Sequence, residues 1–299
     1  MDAPKKKRRK LLPVIIFFII IIAIAGIFWI VKHPFILSPL IDADDKLATR
    51  EDTLKQQVKS LVGNEWKDYS VYVVDFTSPF MMGINESTIF TGASVNKVPI
   101  LAALYEEEKK GNVNFDQIVT LQEDDIQDYG TGSIRYDPPG TTYTVKTLMR
   151  LMMQKSDNTA AYLLGNYIIN LDTVQKYVNE WGMTQTDMPN NQTSNKDMEI
   201  MFRLIMGKRI TTPALSDEML DFLKDSDFEN RIPGLLPKDA VVYHKIGTGT
   251  GTIHDVGVVV YKKKKYYIGI FTADAADEPA TSKLEAEVSK KVFDFMGSN

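Results

Sequence analysis

The sequence predicts an α+β fold, an antiparallel sheet flanked by helices with an all-helical lobe, preceded by one N-terminal transmembrane helix. Three observations carry that prediction. Strand-like stretches lie towards both ends of the body, a block of helical apolar spacing separates them, and a basic run followed by 21 uncharged residues stands in front. Strands gathered from two ends of a chain around a helical insertion fit a segregated layer arrangement rather than alternating βαβ units.

The N-terminal segment comes first. Lys5, Lys6, Lys7, Arg8, Arg9 and Lys10 are contiguous, and Leu11 to Val31 carries no charge and only one Pro and one Gly. About 20 apolar residues suffice for a helix to cross the hydrocarbon core. Pro13 falls in the first turn, where it is tolerated, and Trp29 sits where an interfacial anchor is expected. Basic residues stay on the cytoplasmic side. Residues 1–10 are therefore expected in the cytoplasm, 11–31 in the cell membrane as a single pass, and the rest outside. A cleaved signal peptide has a shorter apolar region, about 7–15 residues, followed by an A-x-A-like site; His33-Pro34-Phe35-Ile36-Leu37 offers none. The basic run also resembles a nuclear import signal, but directly before a span it reads as a topology signal. Residues 32–44, with two prolines, read as a linker, and 45–299 as one domain.

Within that domain, Asp45 to Val62 has helical spacing in Leu47, Leu54, Val58, Leu61 and Val62, stopped by Gly63. Tyr69 to Phe76 is rich in aromatic and β-branched residues and reads as a strand, with Met81 to Phe90 as its partner. Helices are predicted over Val95–Lys110, Val145–Lys155, Thr159–Ile169, Leu171–Trp181, Lys196–Met206 and Ser216–Lys224. Strands return over Ala240–Ile246, His254–Tyr261 and Tyr266–Ala273, where Gly257 marks a bulge or a close approach. A last amphipathic helix runs from Glu278 to Met296.

Composition excludes several functions. The chain of 299 residues has no cysteine, hence no disulfide framework, thiolate nucleophile or Cys-ligated zinc. Its three histidines are His33, His244 and His254, and a three-His metal site would need the one beside the apolar segment, so neither metal nor cofactor is expected. The net charge of −4 hides a balance of +6 over residues 1–32 and −10 over the rest. An acidic body is a poor partner for nucleic acid.

Three short motifs carry chemistry. In Ser94-Val95-Asn96-Lys97, positions i and i+3 of a starting helix share a face, so Lys97 can reach Ser94. A serine hydroxyl needs a base to become a nucleophile, and a buried lysine near other positive charge can lose its proton near neutral pH. Alone, the pair also reads as an N-capping serine with a solvated lysine. Ser156-Asp157-Asn158 lies where two predicted helices meet, and all three residue types cap helices; functionally, Ser156 can relay a proton and Asn158 can bond a substrate amide. Lys245-Ile246-Gly247-Thr248 ends a strand. Lys245 supplies fixed charge, and Gly247 would let a substrate lie against the strand without a side chain between. The Gly-Thr repeat after it also reads as a flexible hairpin.

In that order, the three motifs resemble the set of class A β-lactamases and penicillin-binding proteins. The resemblance covers about residues 45–299 and extends to Gly130-Thr131-Gly132-Ser133-Ile134-Arg135-Tyr136, to Thr141-Thr142-Tyr143-Thr144-Val145, and to His254-Asp255-Val256-Gly257. It implies the β-lactamase-like architecture, a sheet flanked by helices beside a helical lobe, with the site between them. It also implies roles. Ser94 is acylated, Lys97 assists proton removal, Ser156 protonates the leaving nitrogen under Lys245, Asn158 binds the amide, and the N–H groups of Ser94 and Thr248 form an oxyanion hole. Two departures stand out. Ile246 replaces a hydroxyl residue. In Thr186 to Asn195, where class A enzymes carry the glutamate that activates the deacylating water, there is no Glu and only one carboxylate, Asp187.

The expectation is a membrane-anchored serine hydrolase that opens a β-lactam amide through a Ser94 acyl-enzyme and deacylates slowly. The alternatives are a D-Ala-D-Ala carboxypeptidase acting on peptidoglycan peptides, and a non-catalytic cell-wall binding domain. A Ser-His-Asp triad through His244 or His254 with Asp255 explains less of the sequence, and Asn96 breaks the G-x-S-x-G pattern.

Overall fold

The structure, a computed structural model, describes residues 38–275 and 277–297, with side chains from residue 49 onward. The predicted cytoplasmic segment and membrane span lie outside the described residues, and no described helix is long and apolar enough to cross a membrane. The predicted linker 32–44 is corrected at its C-terminal end: helix α1 spans Ser38–Val62. Pro39 falls in its first turn, where the missing N–H leaves no helical bond unmade. Leu54, Val58 and Val62, one turn apart, are fully buried. Gly63 ends the helix at φ 53, a conformation glycine adopts without steric cost.

The elements then follow in chain order: β1 (Asp68–Asp75), β2 (Met81–Ile84), β3 (Ile89–Thr91), a 3₁₀ turn (Ala93–Asn96), α2 (Lys97–Lys109), β4 (Ile118–Thr120), β5 (Thr142–Thr144), α3 (Val145–Gln154) and α4 (Asn158–Leu163). A π-turn (Leu164–Ile168), α5 (Leu171–Glu180), β6 (Gln192–Ser194), α6 (Asn195–Met206), α7 (Pro213–Asp221), β7 (Val241–Gly249), β8 (Thr252–Tyr261), β9 (Lys264–Ala273) and α8 (Glu278–Gly297) complete it. The main sheet has the order β2-β1-β9-β8-β7, and each neighbouring pair is antiparallel. It is built from both ends of the chain, with the helices α2–α7 inserted between.

Two predicted elements divide. Met81–Phe90 is not one strand: the chain turns at Asn85 (φ 52), and Ile89–Thr91 leaves the main sheet to pair with β6. Phe90 then packs on Phe271. Thr159–Ile169 splits into α4 and the π-turn, a widened coil often found at functional sites. At Gly257 the β7–β8 register is unbroken, so there is no bulge; an added Cβ would lie 2.4 Å from the Tyr243 carbonyl oxygen, and the glycine marks a close approach.

Candidate active site

Ser94 stands in the 3₁₀ turn that feeds α2. The turn is entered through Ala93 at φ 46, a left-handed conformation costly for a residue with a Cβ. Two bonds hold it there: the Gly92 N–H donates to the Asn191 carbonyl at 2.6 Å, and the Val95 N–H to the Gly92 carbonyl at 3.1 Å. Gly247 on β7 faces this turn. A Cβ there would lie 3.2 Å from the Gly92 carbonyl oxygen and 3.3 Å from Ala93 Cβ. The expectation that Gly247 clears space for substrate is thus corrected. Its missing side chain seats the nucleophile turn against β7, which brings Ser94 and Thr248 to the same cleft.

Ser156 is the centre of the site. It sits between α3 and α4 at φ 51 and is fully buried. Lys245 Nζ donates to Ser156 Oγ at 2.9 Å, and Lys97 Nζ approaches the same oxygen at 3.4 Å. Lys97 also donates to the Ser156 carbonyl at 2.6 Å and to Asn158 Oδ1 at 2.8 Å. The Thr131 hydroxyl adds a second bond to the Ser156 carbonyl at 2.9 Å, fixing the strained peptide. Asn158 completes the group by donating Nδ2 to the Tyr129 carbonyl at 3.0 Å; Gly130, at φ 66, leaves room for that side chain.

Asp157 turns away from the chemistry. Its carboxylate accepts from the N–H groups of Ser133 (2.6 Å), Ile134 (2.9 Å) and Ala160 (2.9 Å), so it caps α4 and clamps the 130–134 segment. One residue of the motif is architectural and its two neighbours face the cleft.

Burial sets the protonation of the two lysines. It pushes Lys97 down to about 7, against the opposing pull of Asp157. Lys245 lies well below the ordinary lysine range, first through burial and then through the charge of Lys97. A lysine poised near neutrality is fit to accept a proton. A serine hydroxyl between two such groups is fit to pass one on.

These groups open on a cleft of about 770 Å³ that Ser94, Lys97, Asn158 and Thr248 all line. None of its lining residues is Asp or Glu. Asp187 is outside it: its two oxygens accept from the Asn190 N–H and side-chain amide, both at 2.9 Å. Those bonds hold its carboxyl below the usual range, as in a turn residue. Instead the 186–195 segment presents Met188 and Asn191 to the cleft. Ile246 is buried and does not reach the cleft, so that position supplies no hydroxyl.

His244 and Asp255 do pair, Nδ1 to Oδ1 at 2.8 Å, but the other ring nitrogen faces Glu229 at 3.2 Å. The two carboxylates outweigh burial and raise His244 to about 9. None of the three lines the cleft, so the dyad braces β7 from behind. His254 donates or accepts through Nε2 at the Thr91 carbonyl (2.9 Å), fastening the strand that leads to Ser94.

Sequence reasoning missed Arg231 and Asn96. The buried Arg231 guanidinium donates to the carbonyls of Gly247 (3.0 Å) and His254 (2.7 Å), to Thr248 Oγ1 (2.6 Å) and to Glu278 (3.0 Å). It therefore sets the end of β7 at the cleft. Only contacts distant in sequence mark it. Asn96, inside the first motif, ties the nucleophile turn to the 186–195 segment through a 2.8 Å bond to Asn191.

Comparison with known proteins agrees with this geometry. Residues 53–296 match the beta-lactamase enzyme family. Beta-lactamase VEB-1 of Pseudomonas aeruginosa is 25% identical over 267 residues, covering 81% of this chain and 87% of its own. A beta-lactamase of Bacteroides uniformis is 24% identical over 84% of this chain and 91% of its own. Among solved structures, PBP-A superposes with a TM-score of 0.75 at 25% identity, covering 81% of this chain and 95% of that one. A mutant of PBP-A, solved as an acyl-enzyme complex with penicillin G, superposes at 0.76 with 24% identity over 81% of this chain and 96% of that one.

Proposed function

The chain belongs to the beta-lactamase enzyme family and is a serine hydrolase working through an acyl-enzyme, and on that premise we propose that Ser94 opens β-lactams and that its acyl-enzyme is long-lived. The observation that carries the reading is Ser156 Oγ held between two buried lysines in the cleft that also holds Ser94.

Acylation follows from the geometry. Neutral Lys97 takes the Ser94 proton as Oγ attacks the lactam carbonyl. The developing oxyanion is met by backbone N–H groups where the nucleophile turn meets β7; one such donor is worth roughly 3 kcal/mol of barrier. The C–N bond then breaks, and Ser156 gives its proton to the departing nitrogen, recovering one from Lys97 through the shared contacts. Lys245 and Arg231 supply positive charge at the Thr248 end, where a substrate carboxylate would lie.

Hydrolysis of the resulting ester needs an activated water. No cleft-lining residue is a carboxylate, which supports slow deacylation. The same observation supports a second reading, a D-Ala-D-Ala carboxypeptidase acting on peptidoglycan peptides, and the similarity to PBP-A favours it alongside the first. The basic run and apolar segment support a single-pass anchor with the catalytic domain outside the cell membrane.

Time-resolved intact mass of the full-length protein in detergent, mixed with penicillin G, tests the reading. An adduct that forms and decays over many minutes, with substrate loss, is expected. A permanent adduct favours the peptidase. The absence of any adduct would overturn both and leave a cell-wall binding domain. Protease treatment of intact cells tests the topology: the domain outside is digested, and its survival would refute the anchor.

A further inference from the structure

The cleft is larger than the serine–lysine chemistry requires. It runs from Ser94 along α2 to Ile100, one turn past Lys97, and its inner part is walled by Ile100, Ala161, Gly165, Leu171 and Met188. Gly165, in the π-turn, opens on this space: a Cβ there would have only Leu171 Cδ2 within 4 Å, at 3.8 Å. Apolar walls of this kind suit an aliphatic group.

One polar atom in the cleft lining has no partner. Asn96 is 5% exposed, yet its Oδ1 accepts no hydrogen bond from any described residue. The orientation of the amide is settled by its other end, since Nδ2 donates to Asn191 Oδ1 at 2.8 Å and to the Gln192 carbonyl at 3.4 Å. A carbonyl can only accept, so Oδ1 must be the free end. Buried acceptors without a partner are rare and costly.

We propose that this inner compartment is a subsite for the acyl group of the substrate, taking an aliphatic arm that carries a neutral hydrogen-bond donor, an amide N–H or a hydroxyl, received by Asn96 Oδ1. An ammonium is disfavoured by the nearby charge of Lys97 and Lys245, and a carboxylate by the Asn96 oxygen itself. The compartment exists because the 186–195 segment is short and folds onto itself through the Asp187–Asn190 turn. The inference rests on the acyl-enzyme reading.

Three penicillins test it, differing only in the acyl arm: 6-aminopenicillanic acid with none, a four-carbon alkyl arm, and the same arm ending in a primary amide. The rate of Ser94 acylation is read by intact mass on the full-length protein. The amide-ended arm should acylate about tenfold faster than the alkyl arm, the worth of one buried hydrogen bond. Asn96→Leu should erase that preference. Gly165→Val, which narrows the compartment without a backbone clash, should lower the rate for both arms relative to 6-aminopenicillanic acid. Equal rates for the two arms in the wild type overturn the proposal, even if a variant fails to fold. So does a preference that survives both substitutions. Acylation by none of the three would overturn the acyl-enzyme reading and this inference with it.

Discussion

The two walls of the cleft are built to different standards. On one side Lys97, Ser156, Asn158 and Lys245 share five hydrogen bonds of 2.6–3.4 Å, with the Ser156 peptide braced again by Thr131. On the other side Met188 and Asn191 present a thioether and an amide, and Asn96 Oδ1 goes unpaired. Polar networks in a low-dielectric interior are rigid when every member is satisfied and costly when one is not. The difference teaches that forming the acyl-enzyme is strongly specified by this chain, whereas breaking it is not.

The largest test of that contrast removes the well-built side. Ser94→Ala should abolish covalent labelling by penicillin and lower turnover by at least about 10⁴-fold; a variant that still gains mass would place the nucleophile elsewhere. Next in size is the pH profile. Burial lowers Lys97 to about 7, so the base is neutral and competent above that pH and protonated below it. Acylation should rise about tenfold per unit from pH 5 to 7 and level off above about 8. A flat stopped-flow profile over this range would remove Lys97 from the role of base.

The poorly built side is tested by repairing it. Met188→Glu places a carboxylate on the wall facing Ser94 and should shorten the acyl-enzyme lifetime by about 10-fold or more, as general bases do. An unchanged adduct lifetime would mean that the missing carboxylate is not what slows hydrolysis. The smallest effect belongs to Asp187→Asn. Because Asp187 bonds only its own turn, deacylation should change by less than about twofold, and a large loss would restore it as a water-activating base.

What the sequence made legible follows the same division. Ser94 and Lys97 share a helix face, and Ser156 and Asn158 flank a helix start, so local spacing reveals them. The order of strands and helices was readable for a similar reason, since periodicity is local. Gly247 was read as substrate clearance because its true neighbour, the Ala93 turn, lies on the far side of the sequence. Arg231 was missed because its four acceptors come from β7, β8 and α8, which no spacing rule connects. The split of Met81–Phe90 depended on one left-handed residue, Asn85, whose effect on strand partners is decided by the whole sheet.

The sheet that carries this site closes by joining β1 to β9, with Asp68 opposite Ala273. Contacts between such distant parts of a chain are slow to form, because the entropy of closing the loop is spent before the contact rewards it. The helices between them hold mostly local contacts and are suited to form early. Ser94 and Ser156 arrive with those helices, but Lys245 and Thr248 belong to β7, near the C-terminal end. During refolding, reactivity towards a β-lactam is therefore a late event, and its appearance clocks the completion of the sheet rather than the collapse of the chain.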